Sequence, residues 1–123
     1  MKSKKQKLRI EADKLLQEKA IEKYGNKCEI CPGTFRIGGH HIFSRQLYSH
    51  LRYDLDNIAV LCSYCHIIRL HSQGDPLILE KIKAKRKKGW FERLKKKAQQ
   101  RPKSSWQTVG YYEQILQELS KLR

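Results

Sequence analysis

The residues of this chain best suited to chemistry are interleaved: two cysteine pairs enclose a histidine pair and an asparagine, and another histidine follows the last cysteine. In chain order these residues are Cys28, Cys31, His40, His41, Asn57, Cys62, Cys65 and His66. Two C-x₂-C pairs can close a tetrahedral site for structural Zn²⁺, since each pair brings two thiolates to one ion with little strain. Such a site would hold the enclosed histidines and the asparagine in a fixed arrangement.

His40 and His41 are predicted to do different jobs, because adjacent residues of a strand point to opposite faces. One imidazole can bind a divalent ion while the other faces a water molecule, and histidine titrates near neutral pH, as a general base should. A bound divalent ion acts as a Lewis acid that stabilises the charge of a reacting phosphodiester. A metal ligand, a neutral base and a second ligand on a helix therefore suffice for single-metal phosphodiester hydrolysis.

Disulfides are the alternative to a metal site, because all four cysteines of the chain fall in the two pairs. The N-terminus is basic without an apolar signal segment, and no run approaches the length of a membrane span. We therefore expect a protein of the reducing cytoplasm, with no membrane partner and with zinc rather than disulfides. A chain of 123 residues buries a limited core, which a structural metal helps to hold together.

The sequence predicts a small α+β fold with long helical flanks, whose helices and strands must position these residues. Apolar residues recur at helical spacing before Gly25-Asn26, and Gly38-Gly39 marks a bulge or a close backbone approach within the first strand. The segment 43–56 reads as polar and irregular, and 103–108 as a linker. The predicted elements are a helix at 4–24, strands at 35–42 and 58–61, and helices at 63–71, 77–88, 90–100 and 111–122.

The charge of the chain divides it into three parts: an N-terminal helix (1–27), a core (28–72) and a basic helical segment (73–123). Of the net charge of +15, almost all lies outside the core, and residues 81–103 hold twelve Lys or Arg against Glu92 alone. Such an excess favours a polyanion, namely a nucleic acid, because neutralising phosphates releases counterions. A solvated lysine-rich helix face is the alternative, and a membrane surface fits less well because the run lacks a broad apolar face.

The cations expected to contact DNA lie in the loop after the histidine pair and in the basic run. They are Arg45, Arg52, Lys85, Arg86, Lys87, Lys88, Lys95, Lys96 and Lys97. For the two arginines of the loop, an exposed position without a special role is an equal alternative.

Residues 28–71 resemble the HNH, or ββα-metal, endonuclease superfamily. The resemblance rests on G-H-H-I at residues 39–42 and on D-x-D-N-I-A-V-L-C-S-Y-C-H at residues 54–66, including the nine-residue step from Asn57 to His66. It implies that His41 is the general base that activates water, and that His40 and His66 bind a catalytic Mg²⁺ or Mn²⁺. It also implies that Asn57 hydrogen-bonds across the loop to hold the strands around His41.

Some members of the superfamily carry another histidine four residues after the helix ligand. Here that position is Leu70, and His71 follows one residue later, so the resemblance leaves open whether His71 is a further metal ligand. The resemblance implies products with 5′-phosphate and 3′-hydroxyl ends.

A narrower resemblance rests on two motifs, H-H-I-F-S-R at residues 40–45 and L-R-Y-D-x-D-N at residues 51–57. With these motifs the chain resembles Rap/NinG-type phage recombination nucleases. It implies branched DNA, such as a Holliday junction, as the substrate. Resolving a four-way junction requires two cuts, so it also implies a homodimer, with the first and last helices as candidate surfaces. A nicking or restriction-like HNH enzyme is the alternative within the superfamily, and a non-catalytic zinc DNA-binding protein is the alternative outside it.

Overall fold

A two-stranded antiparallel sheet is the element on which the helices pack. Strand β1 (Gly38–His41) pairs with β2 (Ile58–Leu61), with His41 opposite Ile58 and Gly39 opposite Val60. The computed structural model describes residues 1–67, 75–102 and 106–122, and residues 63–67 are helical. This strand, loop, strand and helix order confirms the predicted α+β class. The flanking helices are α1 (Lys4–Tyr24), α2 (Leu77–Lys85), α3 (Trp90–Gln99) and α4 (Val109–Ser120).

Strand β2 separates two hydrophobic clusters. Ile58 and Val60 pack in one cluster with α1 and α4, whereas Ala59 and Leu61 pack in the other with the cysteines, α2 and α3. The alternation follows from the strand period of two, which sends successive side chains to opposite faces. All four β2 residues are therefore buried, and both flanks of the chain share a core with the central segment.

Helix α1 begins and ends as predicted. Ser3 and Gln6 form a capping box at its start, and Gly25 ends it with a left-handed φ of 94°. Its buried stripe is Ala12, Leu16 and Ala20, which share one face of the helix because they are four residues apart.

Helix α1 and the sheet approach each other closely at Gly39. A Cβ at this position would lie 2.8 Å from Ile58 Cγ2 and 3.3 Å from Ala20 Cβ. This confirms the close backbone approach that the glycine pair predicted.

The first strand is shorter than predicted, because the segment 35–42 pairs only at residues 38–41. Arg36 adopts a left-handed φ of 52°, which extended strand backbone does not allow, and Phe35 is exposed. The strand prediction was therefore wrong at Phe35–Ile37 and at Ile42.

Helix α2 ends at Lys85 rather than at residue 88. Arg86 leaves the helical conformation, with φ −104° and ψ 164°, and its side chain turns inward to pair with Glu29. The predicted break before α3 is confirmed, because Gly89 has a left-handed φ of 80°.

The loop between the strands is more ordered than its polar sequence predicted. It contains two 3₁₀ turns, Ser49–Leu51 and Leu55–Asn57, and it buries Leu51, Tyr53 and Leu55. His50, for which the sequence suggested no role, donates Nε2–H to the carbonyls of Lys97 and Ala98 at 3.0 and 3.1 Å. The loop is thereby joined to the last turn of α3.

The terminal helices pack on each other within the chain. Helix α4 starts at Val109, two residues earlier than predicted, with the Thr108 side chain accepting from the Tyr111 N–H. Tyr112 and Leu119 bury one face of α4 against α1 and the sheet. Among the described residues, no helix is long and apolar enough to cross a membrane. Of the predicted linker 103–108, residues 103–105 lie outside the described part of the chain.

Candidate active site and metal centre

The four cysteines lie together with their sulfurs within 4.8 Å of one another, and none is in a disulfide. Cys31 Sγ is 3.6 Å from the sulfurs of both Cys62 and Cys65. A tetrahedral ion with Zn–S bonds of about 2.3 Å would place its sulfurs about 3.8 Å apart. The cluster is therefore positioned to bind one metal ion, and no other set of three or more potential ligands occurs in the described ranges.

The surroundings of the cluster favour thiolates only in part. Burial raises the pKa of the Cys28 thiol, but hydrogen bonds from the backbone of Cys62, Ile30 and Cys31 bring that pKa down to about 7. Burial, together with the neighbouring thiols, raises the pKa of Cys65. Four sulfurs packed this closely repel one another as thiolates, and a dication at their centre removes that repulsion.

Gly33 closes the first cysteine turn. Its N–H donates to Cys31 Sγ at 3.3 Å, and a Cβ at this position would lie 3.1 Å from the same sulfur. The turn therefore fits a backbone amide against the metal ligand and leaves little space for a side chain.

His40 and His66 lie side by side. Their ring centroids are 3.5 Å apart and the ring planes differ by 13°. His40 is opposite Ala59, on the face of the sheet that packs on the cysteine cluster, and His66 belongs to the helical residues that follow β2. The structure thus brings together the two residues predicted to bind the catalytic ion. The further candidate, His71, lies outside the described residues.

His41 points to the other face of the sheet, as adjacent strand residues must. Its Nε2 is 2.9 Å from the Arg52 carbonyl oxygen, which can only accept, so Nε2 carries the proton and donates. Burial lowers the pKa of His41, the Arg52 carbonyl opposes this, and the charges of Arg45 and Arg52 lower it further. The neutral ring is therefore favoured, with its lone pair on Nδ1.

Asn57 is fully buried and joins the two ends of the loop. Its Oδ1 accepts from the Phe43 N–H at 2.7 Å, and its Nδ2 donates to the carbonyls of Phe43 and Leu51 at 3.0 and 3.3 Å. The Ile42 N–H donates to the Asn57 carbonyl at 2.9 Å. The predicted hydrogen bonding of Asn57 across the loop is confirmed.

The three histidines open into one cleft of about 400 Å³. Ser44, Gln17 and the exposed Arg45 also line this cleft. The sequence had indicated Arg45 as a possible DNA contact, but it had not indicated Ser44 or Gln17. Both residues of the histidine pair therefore line the same cleft, although they lie on opposite faces of β1.

Helix α1 contributes two side chains to this region. The Gln17 amide accepts from the Gly39 N–H and donates to the Gly39 carbonyl, both at 2.8 Å. Asp13 accepts from Arg52 Nε and Nη2 at 2.9 and 2.7 Å and from the Tyr53 hydroxyl at 2.9 Å. Asp13 and Gln17 flank the buried stripe of α1. This position next to the stripe is the signal in the sequence that could have indicated them.

Two cations expected to contact DNA have partners inside the protein instead. Arg52 pairs with Asp13 and is 19% exposed at its side chain. The Arg86 side chain is 6% exposed, pairs with the buried Glu29 at 3.0 Å and donates to the Ile58 carbonyl at 2.7 Å. Both side chains are thus engaged within the protein, by partners 39 and 57 residues away that the charges of the sequence did not reveal.

Lys97 is a third candidate with internal partners, since its Nζ pairs with Asp54 and Asp56 at 2.9 and 3.1 Å. Lys95 pairs with Glu92 across one turn of α3 and stays exposed. The candidates that remain exposed at the surface are Arg45, Lys85, Lys87, Lys88, Lys95 and Lys96.

Comparison with known proteins gives one match. Residues 28–72 match the family model for HNH endonuclease, and the matched segment holds both cysteine pairs, the three cleft histidines and Asn57. It spans somewhat over a third of the chain, and neither α1 nor the basic helices fall within it. Searches of curated proteins and of solved structures found no match to the chain.

Proposed function

We propose, from the HNH endonuclease match of residues 28–72, that this chain is a divalent-metal-dependent endonuclease that hydrolyses DNA phosphodiester bonds. The observation that carries the proposal is the arrangement of one cleft, in which His41 with a fixed proton position lies beside the stacked pair of His40 and His66. A protein that only bound DNA would have no need of this arrangement.

His41 is the general base in this proposal. Its Nε2–H is engaged by the Arg52 carbonyl, so Nδ1 is the atom that takes a proton from the attacking water. As that proton moves to Nδ1, the water oxygen bonds to phosphorus and the bond from phosphorus to the 3′ oxygen breaks. The 3′ oxygen takes a proton from solvent, which leaves 5′-phosphate and 3′-hydroxyl ends.

His40 and His66 would hold the catalytic Mg²⁺ or Mn²⁺. When bound, such an ion stabilises the negative charge that develops on the phosphate and on the leaving oxygen. Imidazole nitrogen is a softer donor than carboxylate oxygen, so we expect Mn²⁺ to support cleavage at lower concentrations than Mg²⁺. Since these residues would supply only two ligands, water and phosphate oxygens would have to supply the others.

The four cysteines would hold structural Zn²⁺. Their set of four thiolate donors leaves no open coordination position, which is typical of structural rather than catalytic zinc. The site ties the turn at residues 28–33 to the end of β2 and to the helical residues that carry His66. Its contribution to catalysis is thus to fix where the second metal ligand lies.

Branched DNA is the substrate that we propose within this class. The exposed cations of α2, α3 and the turn between them would contact the phosphate backbone, and such contacts position a protein without reading sequence. A nuclease that binds mainly by backbone contacts recognises the shape of its substrate more readily than its sequence. The resemblance of residues 40–57 to recombination nucleases supports the same choice, and the nicking enzyme remains the outcome if shape has no effect.

The test is cleavage of supercoiled plasmid by the zinc-loaded protein with the second metal omitted, or with Mg²⁺ or Mn²⁺ added. Omitting the metal is preferable to adding a chelator, which would also attack the cysteine site. We expect nicked and linear products only with the added ion, and none from His41→Ala. Tight binding of the plasmid without cleavage under any of these ions would leave a zinc DNA-binding protein.

A further inference from the structure

Two side chains of α1 hold the active-site segments from outside the region that matches the HNH model. Asp13 and Gln17 are four residues apart and therefore share a face of the helix. Each contacts the backbone or the side chains next to a cleft histidine, and neither lies within residues 28–72.

Gln17 acts on the strand that carries the histidine pair. Its amide forms two hydrogen bonds of 2.8 Å with the N–H and the carbonyl of Gly39, as a neighbouring strand would. The outer edge of β1 is thereby closed immediately before His40. The position of β1 along α1 is set by this pair of bonds together with the contact between Gly39 and Ala20.

Asp13 acts on the carbonyl that orients His41. That carbonyl belongs to the peptide unit between Arg52 and Tyr53, and Asp13 holds the side chains on both sides of it, through two bonds from Arg52 and one from the Tyr53 hydroxyl. Holding both neighbours fixes the plane of the peptide unit, and with it the direction in which its oxygen meets His41 Nε2.

We propose that Asp13 and Gln17 are positioning residues of the active site, so that α1 is part of the catalytic apparatus. Asp13 would keep the proton of His41 on Nε2 and its lone pair on Nδ1, while Gln17 would keep β1 in place. The catalytic consequence rests on the proposed nuclease function, whereas the effect on the His41 ring does not. Groups that orient the ligands or bases of a metal site typically change activity by about 10- to 100-fold when removed.

The experiment compares Asp13→Asn and Gln17→Met with Glu11→Gln, a matched control that alters an exposed polar side chain of the same helix. Nitrogen NMR of the imidazoles, recorded without catalytic ion and at a pH where neutral histidine dominates, reports which ring nitrogen of His41 carries the proton. The His41 signals are identified by their loss in His41→Gln. Cleavage kinetics give kcat and KM for the same zinc-loaded proteins.

We expect Asp13→Asn to mix the two proton positions of His41 and to lower kcat at least 10-fold with little change in KM. Gln17→Met should lower kcat without changing the ring, and Glu11→Gln should change neither. A double variant, Asp13→Asn with Arg52→Gln, should be no slower than the slower of its two single variants, because both act through one peptide unit.

A milder variant covers the case in which Asp13→Asn does not fold. Tyr53→Phe removes one of the three bonds to Asp13 and should shift the His41 ring in the same direction by a smaller amount. If the ring and kcat stay as in wild type in Asp13→Asn, or in Tyr53→Phe where Asp13→Asn does not fold, the positioning role of Asp13 is overturned. If wild type does not cut DNA, the nuclease proposal fails, while the ring signals still decide the role of Asp13.

Discussion

At the scale of single residues, the hydrogen bond of His41 separates its role from those of the other histidines. His41→Ala removes the proposed base and leaves the cysteine cluster unchanged, so we expect cleavage to fall by about 100- to 10,000-fold with DNA affinity retained. Single-turnover cleavage and filter binding measure the two quantities. His50→Gln is the matched control, because glutamine can still donate to the α3 carbonyls and the site is outside the cleft. Wild-type cleavage by His41→Ala would assign the base elsewhere.

His66 should behave differently from His41 when the metal concentration is varied. His66→Ala removes one of the two proposed metal ligands and leaves the proposed base, so its activity should be lost at low Mn²⁺ and partly recovered at high Mn²⁺. His41→Ala should show no such recovery. Metal titrations of cleavage for the two variants side by side would distinguish a ligand from a base, and equal responses would contradict both assignments.

The Asn57 side chain holds the loop between the strands through hydrogen bonds to Phe43 and Leu51. Asn57→Ala would leave the N–H and carbonyl of Phe43 and the carbonyl of Leu51 without this partner inside the protein. A loss of stability on the order of 3 kcal/mol follows from unpaired buried polar groups, measurable by thermal unfolding. Asn57→Asp should be destabilising as well, since it places an acceptor where two carbonyls need a donor. Unchanged stability in both variants would mean that the loop is held in another way.

The sequence predicted which residues form the cleft better than it predicted the partners of the charged side chains. The four cysteines form one cluster and three histidines line one cleft, and all of these residues fall within the short segment 28–66. The partners of Arg52 and Arg86 come from distant segments, and no periodicity in the sequence points to them. Gln17 was missed for the same reason.

At the scale of elements, side chains take part in closing both outer edges of the two-stranded sheet. Gln17 pairs with Gly39 on the β1 edge. On the β2 edge, Glu29 accepts from the Val60 N–H through its side chain and donates its backbone N–H to the Val60 carbonyl, while Arg86 donates to the Ile58 carbonyl. Unpaired edges of a short sheet favour association with other strands, and these side chains prevent it. The sequence predicted a longer first strand at 35–42 because it does not show that the pairing with β2 is limited to residues 38–41.

The cysteine cluster should govern the stability of the central elements. The energy of binding a structural zinc is folding energy, on the order of 10 kcal/mol in small zinc domains, so Cys28→Ser should unfold the segment that contains β1 and β2. Far-ultraviolet circular dichroism and zinc content measure this. Gly33→Ala is a gentler change that crowds Cys31 Sγ, and it should weaken zinc retention against a chelator while the fold persists. Folded, zinc-free Cys28→Ser protein would contradict the role of the metal.

At the scale of the whole molecule, the basic helices belong to the core and cannot be removed to test their role in DNA binding. Ile78, Trp90 and Leu94 are buried in the same cluster as the cysteines, so a truncation after Asp75 would expose that cluster. The sequence predicted a basic helical segment without a broad apolar face, whereas in the structure α2 and α3 each have one buried face and one charged face. Substitution at the surface is therefore the informative experiment.

Neighbouring lysines of α3 offer a matched pair for that experiment. Lys96 is exposed, whereas Lys97 pairs with Asp54 and Asp56. Replacing Lys87, Lys88 and Lys96 by Gln should lower the slope of log K against log salt by about 0.9 for each phosphate that the protein no longer neutralises. Lys97→Gln removes the same charge one residue away and should leave the slope unchanged. An unchanged slope in the triple variant would mean that this face only keeps the protein soluble.

The choice between branched and linear DNA is a question of how two active sites are arranged. The terminal helices were predicted as candidate dimer surfaces, but α1 and α4 bury Leu16, Tyr112 and Leu119 within one chain, so two copies would have to meet through other faces. A four-way junction presents two strands of opposite polarity at its branch point, and a linear duplex can do so only by bending at some energetic cost. Two bound copies would therefore reach both strands of a junction more easily than those of a duplex.

We accordingly expect faster cleavage of a four-way junction than of a linear duplex of the same sequence, with two copies of the protein on each junction. Cleavage rates on matched labelled substrates and light scattering of the protein alone and with the junction measure both properties. The Arg45→Gln variant is a useful control, because Arg45 lines the cleft. Its loss should slow cleavage of both substrates equally and leave the ratio of the two cleavage rates unchanged. Equal rates on the two substrates, together with one copy per junction, would exclude a junction-resolving enzyme and leave a general HNH endonuclease.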